Sequence, residues 1–335
     1  MSKVFVIPDV HLKPLIFDRA EEELKKSEYD YIVFLGDLVD DWGQEDNISL
    51  YRETFERLKI FIKNHSNFLY CYGNHELSYI WKKNETGYSP AARDTVIAGI
   101  SDVRIMLPRD AVAYVHRIDN VMFSHAGLTD RFIKEHFRDY SYVFNDMLKK
   151  VNAFGELEMW KDISPIWARP QDGYMEMYPE SFLQVVGHTP VEKIDYFTGL
   201  LSVDTFSTFK TGEPIGDQRF VWVDTVIHRW GYADEPDKIA VFKVSAHDIR
   251  NYRIGDWVLF RFGDETHEGK VEVINKLQNG CSSIDVLCKD IYYKHVPIND
   301  AIERLRVGID GDTCMIPVKW ESPHGEIFER KSGDN

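Results

Sequence analysis

Lys3-Val4-Phe5-Val6-Ile7-Pro8-Asp9-Val10-His11 is the stretch that decides how this chain is read. A continuous apolar, β-branched run has no polar face, so it predicts a strand buried on both sides. A carboxylate and an imidazole follow at once, one residue apart and therefore directed the same way off an extended end. The pattern repeats outward. Residues 31–35 predict a second buried strand that runs into Gly36-Asp37-Leu38-Val39-Asp40, and residues 67–72 a third that runs into Gly73-Asn74-His75-Glu76. Further on, residues 121–124 lead to His125-Ala126-Gly127, and residues 183–186 lead to Gly187-His188-Thr189-Pro190. Amphipathic patterns at 15–26 and 50–64 predict helices between the first three strands. The alternation predicts an α/β fold, a parallel sheet covered by helices, with functional residues just beyond the strands' carboxyl ends.

The remaining composition is that of an ordinary globular chain. Of 335 residues, 44% are hydrophobic and 28% charged, which excludes collagen-like and wholly disordered readings. Lys and Arg number 40 against 55 Asp and Glu, a formal charge of −15, so gripping a long nucleic-acid polymer is not the expected task. Cys71, Cys281, Cys288 and Cys314 show no CxxC spacing, and no apolar run is long enough to span a bilayer; a cytoplasmic protein is expected. Past about residue 242 short strand patterns follow one another at 254–262, 267–277, 281–289 and 292–296, with a helical turn at 300–305. The expected organisation is a catalytic domain over 1–245, a small SH3-like β-barrel over 250–305 and a C-terminal extension over 306–335. Residues 250–300 hold seven basic against eight acidic side chains, which leaves the barrel without a polyanion footprint. Trp257, Phe260 and Phe262 are expected to fill its core.

One carboxylate and one imidazole suit a divalent transition metal. Asp9 and His11 supply that pair, Asp37 from the adjacent strand end could bridge to a second ion, and Asn74, His125 and His188 would complete it. Two cations sharing a carboxylate sit roughly 3.5–4 Å apart and lower the pKa of a bound water toward about 7, so that a bridging hydroxide serves as nucleophile. His75, beside Asn74, would face the leaving group as general acid, with Asp40 orienting it by a hydrogen bond. Arg169, in Ile166-Trp167-Ala168-Arg169-Pro170, is the expected cationic clamp on the phosphoryl charge.

With these motifs assembled, the chain resembles the metallophosphoesterase (calcineurin-like) superfamily over roughly residues 3–210, and within it the PPP-type serine/threonine phosphatases of bacteria and phages. The resemblance rests on Asp9-x-His11, Gly36-Asp37-x-x-Asp40, Gly73-Asn74-His75-Glu76, His125-Ala126-Gly127 and Gly187-His188. It implies a four-layer αββα sandwich, with Asp9, His11 and Asp37 on one metal and Asp37, Asn74, His125 and His188 on the other. It also implies the His75–Asp40 pair and a phosphate-binding role for Arg169. Mn²⁺ is the ion expected to work in vitro, with Fe or Zn as alternatives. The substrate is expected to be a phosphoprotein or a small phosphorylated metabolite.

Two positions depart from the family pattern. PPP-type enzymes follow the second Asp of GDxxD with Arg-Gly, and here Asp41-Trp42-Gly43 stands instead. An acid does not bind a phosphate dianion, so a nucleotide hydrolase (dinucleoside polyphosphate hydrolase or cyclic phosphodiesterase) stays open beside a phosphomonoesterase, with Arg93, Arg169 or Lys82 as substitute grips. Pro8 stands where a glycine usually precedes Asp-x-His. A scaffold acting through the barrel is the reading from another class. Trp42, Tyr79, Trp81 and Trp167 flank the motifs and are expected to pack around the site rather than stack a ring, and Asp204 is expected to be structural.

Overall fold

The computed structural model describes residues 2–137, 144–172, 175–179, 182–197, 199–225, 229–235, 239–240, 243–244, 254, 257–262, 265–276, 282–288, 291–297, 304–305, 321–322 and 326–329. Its first strand, β1 (Lys3–Ile7), is apolar on both faces because each face has its own partner. Phe5 and Ile7 pack among helices, whereas Val4 and Val6 point into a second sheet. The strands β2 (Tyr31–Phe34), β3 (Phe68–Cys71) and β4 (Val112–Ala113) continue the sheet in parallel. The helices α1 (Leu15–Leu24), α2 (Ile48–Asn64), α3 (Asn74–Trp81) and α4 (Arg93–Met106) alternate with them. Ile16, Phe17 and Ala20 of α1, Phe55, Leu58 and Phe61 of α2, and Val96, Ile100 and Val103 of α4 form the outer apolar layer on this sheet.

The chain then builds β5 (Val115–Ile118), β6 (Val121–Ser124), β7 (Leu183–Val186), β8 (Asp195–Phe197) and β9 (Leu200–Ser202) into a second sheet of order β5-β6-β7-β9-β8. Val121 and Phe123 face inward with Leu183, Val185 and Leu201, meeting Val4, Val6, Val33 and Leu35 in one cluster between the sheets. On the outer side, Met122 packs under α5 (Asp130–His136), α6 (Phe144–Val151) and α7 (Glu156–Met159) with Phe132, Met147 and Leu148. The chain returns through β10 (Val221–Asp224), β11 (Arg229–Tyr232) and β12 (Ile239–Ala240), which gives the first sheet, among the described residues, seven strands in the order β12-β11-β10-β1-β2-β3-β4. Because β10 lies antiparallel to β1, this sheet is mixed rather than purely parallel as the N-terminal alternation predicts. Its antiparallel edge comes from a segment 214 residues further on, which no local periodicity links to β1.

A third sheet, of eight strands among the described residues, contains β13 (Lys243–Val244), β14 (Trp257–Phe262), β15 (Glu265–Lys276), β16 (Ser282–Cys288), β17 (Ile291–Pro297), β18 (Arg304–Leu305), β19 (Glu321–Ser322) and β20 (Glu326–Glu329). Among the described residues its pairing path is open, running from β13 to β20. Val258, Phe260, Val271, Ile284, Val286 and Tyr293 form its core. The helical turn expected at 300–305 is replaced at its end by a strand. Leu305 pairs with both Lys243 and Trp257, so two open sheet edges outweigh the local preference. Residues 300–303, Cys281, Cys314, the side chains of Trp257 and Phe262, and the C-terminal extension apart from β19 and β20 lie outside the described residues. No helix is long and apolar enough to cross a membrane among the described residues.

Candidate metal centre

The loops after β1, β2, β3, β6 and β7 converge at one end of the paired sheets. His11 (φ 44°), Asp37 (φ 53°), Asp40 (φ 68°) and His188 (φ 62°) all adopt the left-handed backbone region. Non-glycine residues hold that conformation only where surrounding contacts fix it, at a cost of about 1–3 kcal/mol each. Those contacts are present. The amides of Val10 and His11 both donate to the Asp37 carbonyl at 2.9 Å. Glu76, fully buried on α3, accepts from the amides of Asp37 at 3.2 Å, Gly73 at 3.0 Å and Leu38, and so fastens two loops together. Burial, with the Asp37 charge added, pushes the Glu76 carboxyl up to about 6. A side chain at Gly73 would strike Asp37, and one at Gly187 would strike Asp9: a Cβ would lie 2.0 Å from Oδ1 of either carboxylate.

Three imidazoles have Nδ1 tied down and Nε2 turned inward. His125 Nδ1 lies 3.0 Å from the Leu35 carbonyl, His11 Nδ1 lies 2.9 Å from the Asp40 carbonyl, and His75 Nδ1 lies 3.0 Å from Asp40 Oδ2. Because each partner is an acceptor, Nδ1 carries the proton in all three. His125 Nε2 then presents a lone pair 2.9 Å from Asn74 Oδ1, 3.2 Å from Asp37 Oδ2 and 3.0 Å from His188 Nδ1. Acceptors brought that close repel unless a proton or a cation lies among them, so this donor set fits a metal ion. On the other side of Asp37, Oδ2 lies 3.8 Å from His11 Nε2 and 3.9 Å from His75 Nε2. Two groups, His11 with Asp37 and His75, and Asp37 with His125 and His188, each have ligand-capable atoms within 4.8 Å of one another.

Burial and the neighbouring charges move the groups of the site in different directions. Burial pushes Asp9 well up, and the charges of Asp204 and Asp37 push the same way. Burial alone would raise Asp37 too, but the imidazoles of His125 and His75 outweigh it and hold that carboxyl well below the usual range. Burial, with His125 and Arg169 nearby, holds His188 well below the ordinary imidazole value, and burial likewise lowers His11. The lowered imidazoles of His11 and His188 keep lone pairs available to a metal ion, and a cation beside Asp9 would favour its ionised form.

All nine predicted site residues meet here, though not all in the same manner. Asp9 accepts the His188 amide at 3.0 and 3.2 Å and lies 3.9 Å from His11 Nε2. Arg169 Nη1 reaches Thr189 Oγ1 at 3.1 Å and the His188 carbonyl at 3.4 Å, and its side chain lines a cleft of about 280 Å³ together with His11, Asp37, Asn74, His75 and His188. Of the substitute grips, Lys82 and Arg93 do not line that cleft; Arg93 pairs with Asp94 at 3.4 Å. Asp41 does line it, held by Lys13 Nζ at 3.1 Å, and Lys13 also donates to the His11 carbonyl at 3.2 Å. Lys13 and Glu76 escaped the sequence reading. Glu76 was visible only as the last letter of its motif, and nothing in the sequence marks Lys13. Trp42 and Trp167 border the cleft, whereas Trp81 packs edge-on against Trp160. Asp204 accepts from the amide and hydroxyl of Ser207 at 3.2 and 2.7 Å, which bends the chain beside Asp9.

A Saccharomyces cerevisiae protein serine/threonine phosphatase with similarity to human phosphatase PP5 is 18% identical over 66% of this chain and 72% of its own, at a TM-score of 0.40. A metallophosphoesterase from Sphaerobacter thermophilus is 16% identical over 70% of this chain and 84% of its own, at a TM-score of 0.29. No curated protein matches. Residues 2–220, which carry all of the converging loops, match the calcineurin-like phosphoesterase family. The chain belongs to that family of metal-dependent phosphoester hydrolases.

Proposed function

We propose that the protein is a phosphomonoesterase with a two-metal centre, acting on a phosphoprotein or a small phosphorylated metabolite. The observation that carries this reading is the meeting of His125 Nε2, Asn74 Oδ1, Asp37 Oδ2 and His188 Nδ1 at 2.9–3.2 Å around His125. Asp37, Asn74, His125 and His188 would hold one ion, and Asp9, His11 and Asp37 the other; an N/O donor set of this kind accepts Mn²⁺ and also Fe or Zn. When bound, such cations neutralise phosphoryl charge and lower the pKa of water. The chain's own groups supply the rest. His75, its Nδ1 held by Asp40, offers Nε2–H to the leaving oxygen. Burial pulls His75 down, but the Asp37 charge and the Asp40 hydrogen bond outweigh it and raise His75 to about 9, which keeps the donor protonated at neutral pH. Arg169, which lines the cleft, would bind a non-bridging phosphoryl oxygen.

A second reading, a phosphodiesterase or nucleotide hydrolase, draws on Asp41. Its carboxylate and Lys13 neutralise each other at 3.1 Å, which leaves Arg169 as the one guanidinium or ammonium group among the described side chains lining the cleft. A single guanidinium suits a monoanionic diester better than a dianion. The flanking organisation we propose is an αββα sandwich over 1–245, supported by the three apolar clusters in series. A small SH3-like barrel over 250–305 is supported by the compact core around Phe260 and Tyr293, and residues 306–335 form an extension. The buried thiol of Cys71 fits a cytoplasmic setting.

The test is a substrate panel on metal-stripped protein with Mn²⁺ restored: para-nitrophenyl phosphate, its bis ester, a phosphopeptide, diadenosine tetraphosphate and a 2′,3′-cyclic nucleotide. Turnover of the monoester and phosphopeptide supports the first reading. Preference for the bis ester or a nucleotide selects the second. Silence across the panel with metal bound refutes both.

A further inference from the structure

Two buried phenols beside the proton donor have no task in the reaction as described so far. Tyr51 on α2 and Tyr79 on α3 are both fully buried, and both hydroxyls donate to Oδ1 of Asp40, Tyr51 at 2.8 Å. The other carboxylate oxygen, Oδ2, holds His75 Nδ1 at 3.0 Å. Burial, with the Asp40 charge added, pushes both phenols up, so both remain protonated donors. Tyr79 is itself fixed: its hydroxyl accepts the Ser89 amide at 2.8 Å, and its ring stacks on Tyr88 at 4.4 Å. The segment leading to Ser89 passes through Glu85, Thr86 and Gly87, which line the cleft. A carboxylate bonded only to one imidazole can rotate and exchange its oxygens. With two phenols on Oδ1, rotation would break three hydrogen bonds at once inside a water-poor core.

We propose that Tyr51 and Tyr79 are positioning residues for the proton donor: by filling Oδ1 of Asp40 they lock Oδ2 onto His75 and keep His75 Nε2 aimed at the leaving oxygen. This rests on the reading of His75 as the proton donor. In the step concerned, the Nε2–H bond of His75 breaks as an O–H bond forms on the departing alkoxide. His75 Nδ1 keeps its proton toward Asp40, and neither tyrosine loses one.

The experiment uses the full-length, Mn²⁺-loaded protein and a series of phosphate esters, monoesters and matching methyl diesters, with leaving groups from dinitrophenol through phenol to an alkyl alcohol. A proton donor matters most where the leaving oxygen is most basic. His75→Asn is expected to steepen the fall of kcat with leaving-group basicity. Tyr51→Phe and Tyr79→Phe are expected to steepen it in smaller measure, by about tenfold on the alkyl ester and little on the dinitrophenyl ester, with KM and metal content unchanged. The double variant is expected to approach His75→Asn. Tyrosine variants that slow every ester equally, or that change KM or metal content instead, would overturn the assignment while leaving His75 as donor. A His75→Asn variant with no steepening would overturn both. Melting temperatures accompany each variant; if the double variant does not fold, the single ones, each leaving one phenol on Asp40, carry the same comparison.

Discussion

The floor of the cleft and its rim are built in opposite ways. On the floor, Asp37, Asn74, His125 and His188 are at most 7% exposed, and each is held by bonds from at least one other loop. On the rim, Trp42 is 39% exposed, with Lys210 Nζ 4.6 Å from its ring centre, and the Asp41–Lys13 pair is partly open to solvent. The floor withstands strained backbone and clustered charge because its partners over-determine it; the rim has few constraints and can change cheaply. On the proposed reading, chemistry resides in the floor and selectivity is free to vary at the rim. Substitutions in the two regions should differ in kind as well as in size.

The largest effect is expected at Asp37, which belongs to both groups of ligand-capable atoms. Asp37→Asn should abolish hydrolysis and the rise in melting temperature that Mn²⁺ gives the unaltered protein, since a ligand stabilises only the fold that binds it. Undiminished stabilisation by Mn²⁺ in that variant would break the assignment of the floor as a metal centre. Next comes His75→Asn, with kcat down about 10²–10⁴-fold while metal content, measured by elemental analysis, stays level. Equal loss of metal would place His75 among the ligands, as its 3.9 Å approach to Asp37 allows.

Arg169→Ala joins floor to rim, and a loss of about 10²-fold in kcat/KM is expected, larger for monoesters than for diesters. Acidity supplies a fourth check. As the proposed donor, His75 would act only while protonated, so activity should persist below its pKa and fall as pH rises through it, toward about 9. Cations on Asp37 remove part of that lift, so the basic limb should lie lower in the loaded enzyme, and His75→Asn should flatten it. The smallest effect belongs to the rim: Asp41→Arg should move the monoester-to-diester ratio by about tenfold, roughly 1.4 kcal/mol, with little change in metal content. A ratio that does not move would mean that Asp41 takes no part in substrate choice.

Much of the floor was legible in the sequence. Metal-capable side chains recur after five apolar runs, and the chemistry of cation ligation restricts which residue types can stand there. The strands were legible too, because β1 and β2 are buried on both faces and so lack the alternation of a half-exposed strand. What surrounds the floor was less visible. Tyr79 reads in the sequence as an aromatic packed beside the motif, and it is packed, yet its hydroxyl also fixes Asp40. Phe55 and Tyr51 occupy the same apolar stripe of α2 and the same core cluster; only the position of Asp40 distinguishes them.

By itself, then, the sequence determined the strand-and-helix order of residues 3–72, the later strands at 121–124 and 183–186, the residue types able to hold cations and the pairing of His75 with Asp40. Each of these depends on local properties, namely the period of burial, the spacing along a strand end and the donor chemistry of a side chain. Tertiary structure alone decided that β10 closes the first sheet antiparallel to β1, that Leu305 is extended rather than helical, that Lys13 neutralises Asp41 and that Glu76 ties three amides together. Those outcomes depend on which groups meet across 28 residues, in the case of Lys13 and Asp41, or far more. A hydrogen bond or ion pair is decided by distance in space, and a linear pattern carries that distance only after the chain has folded.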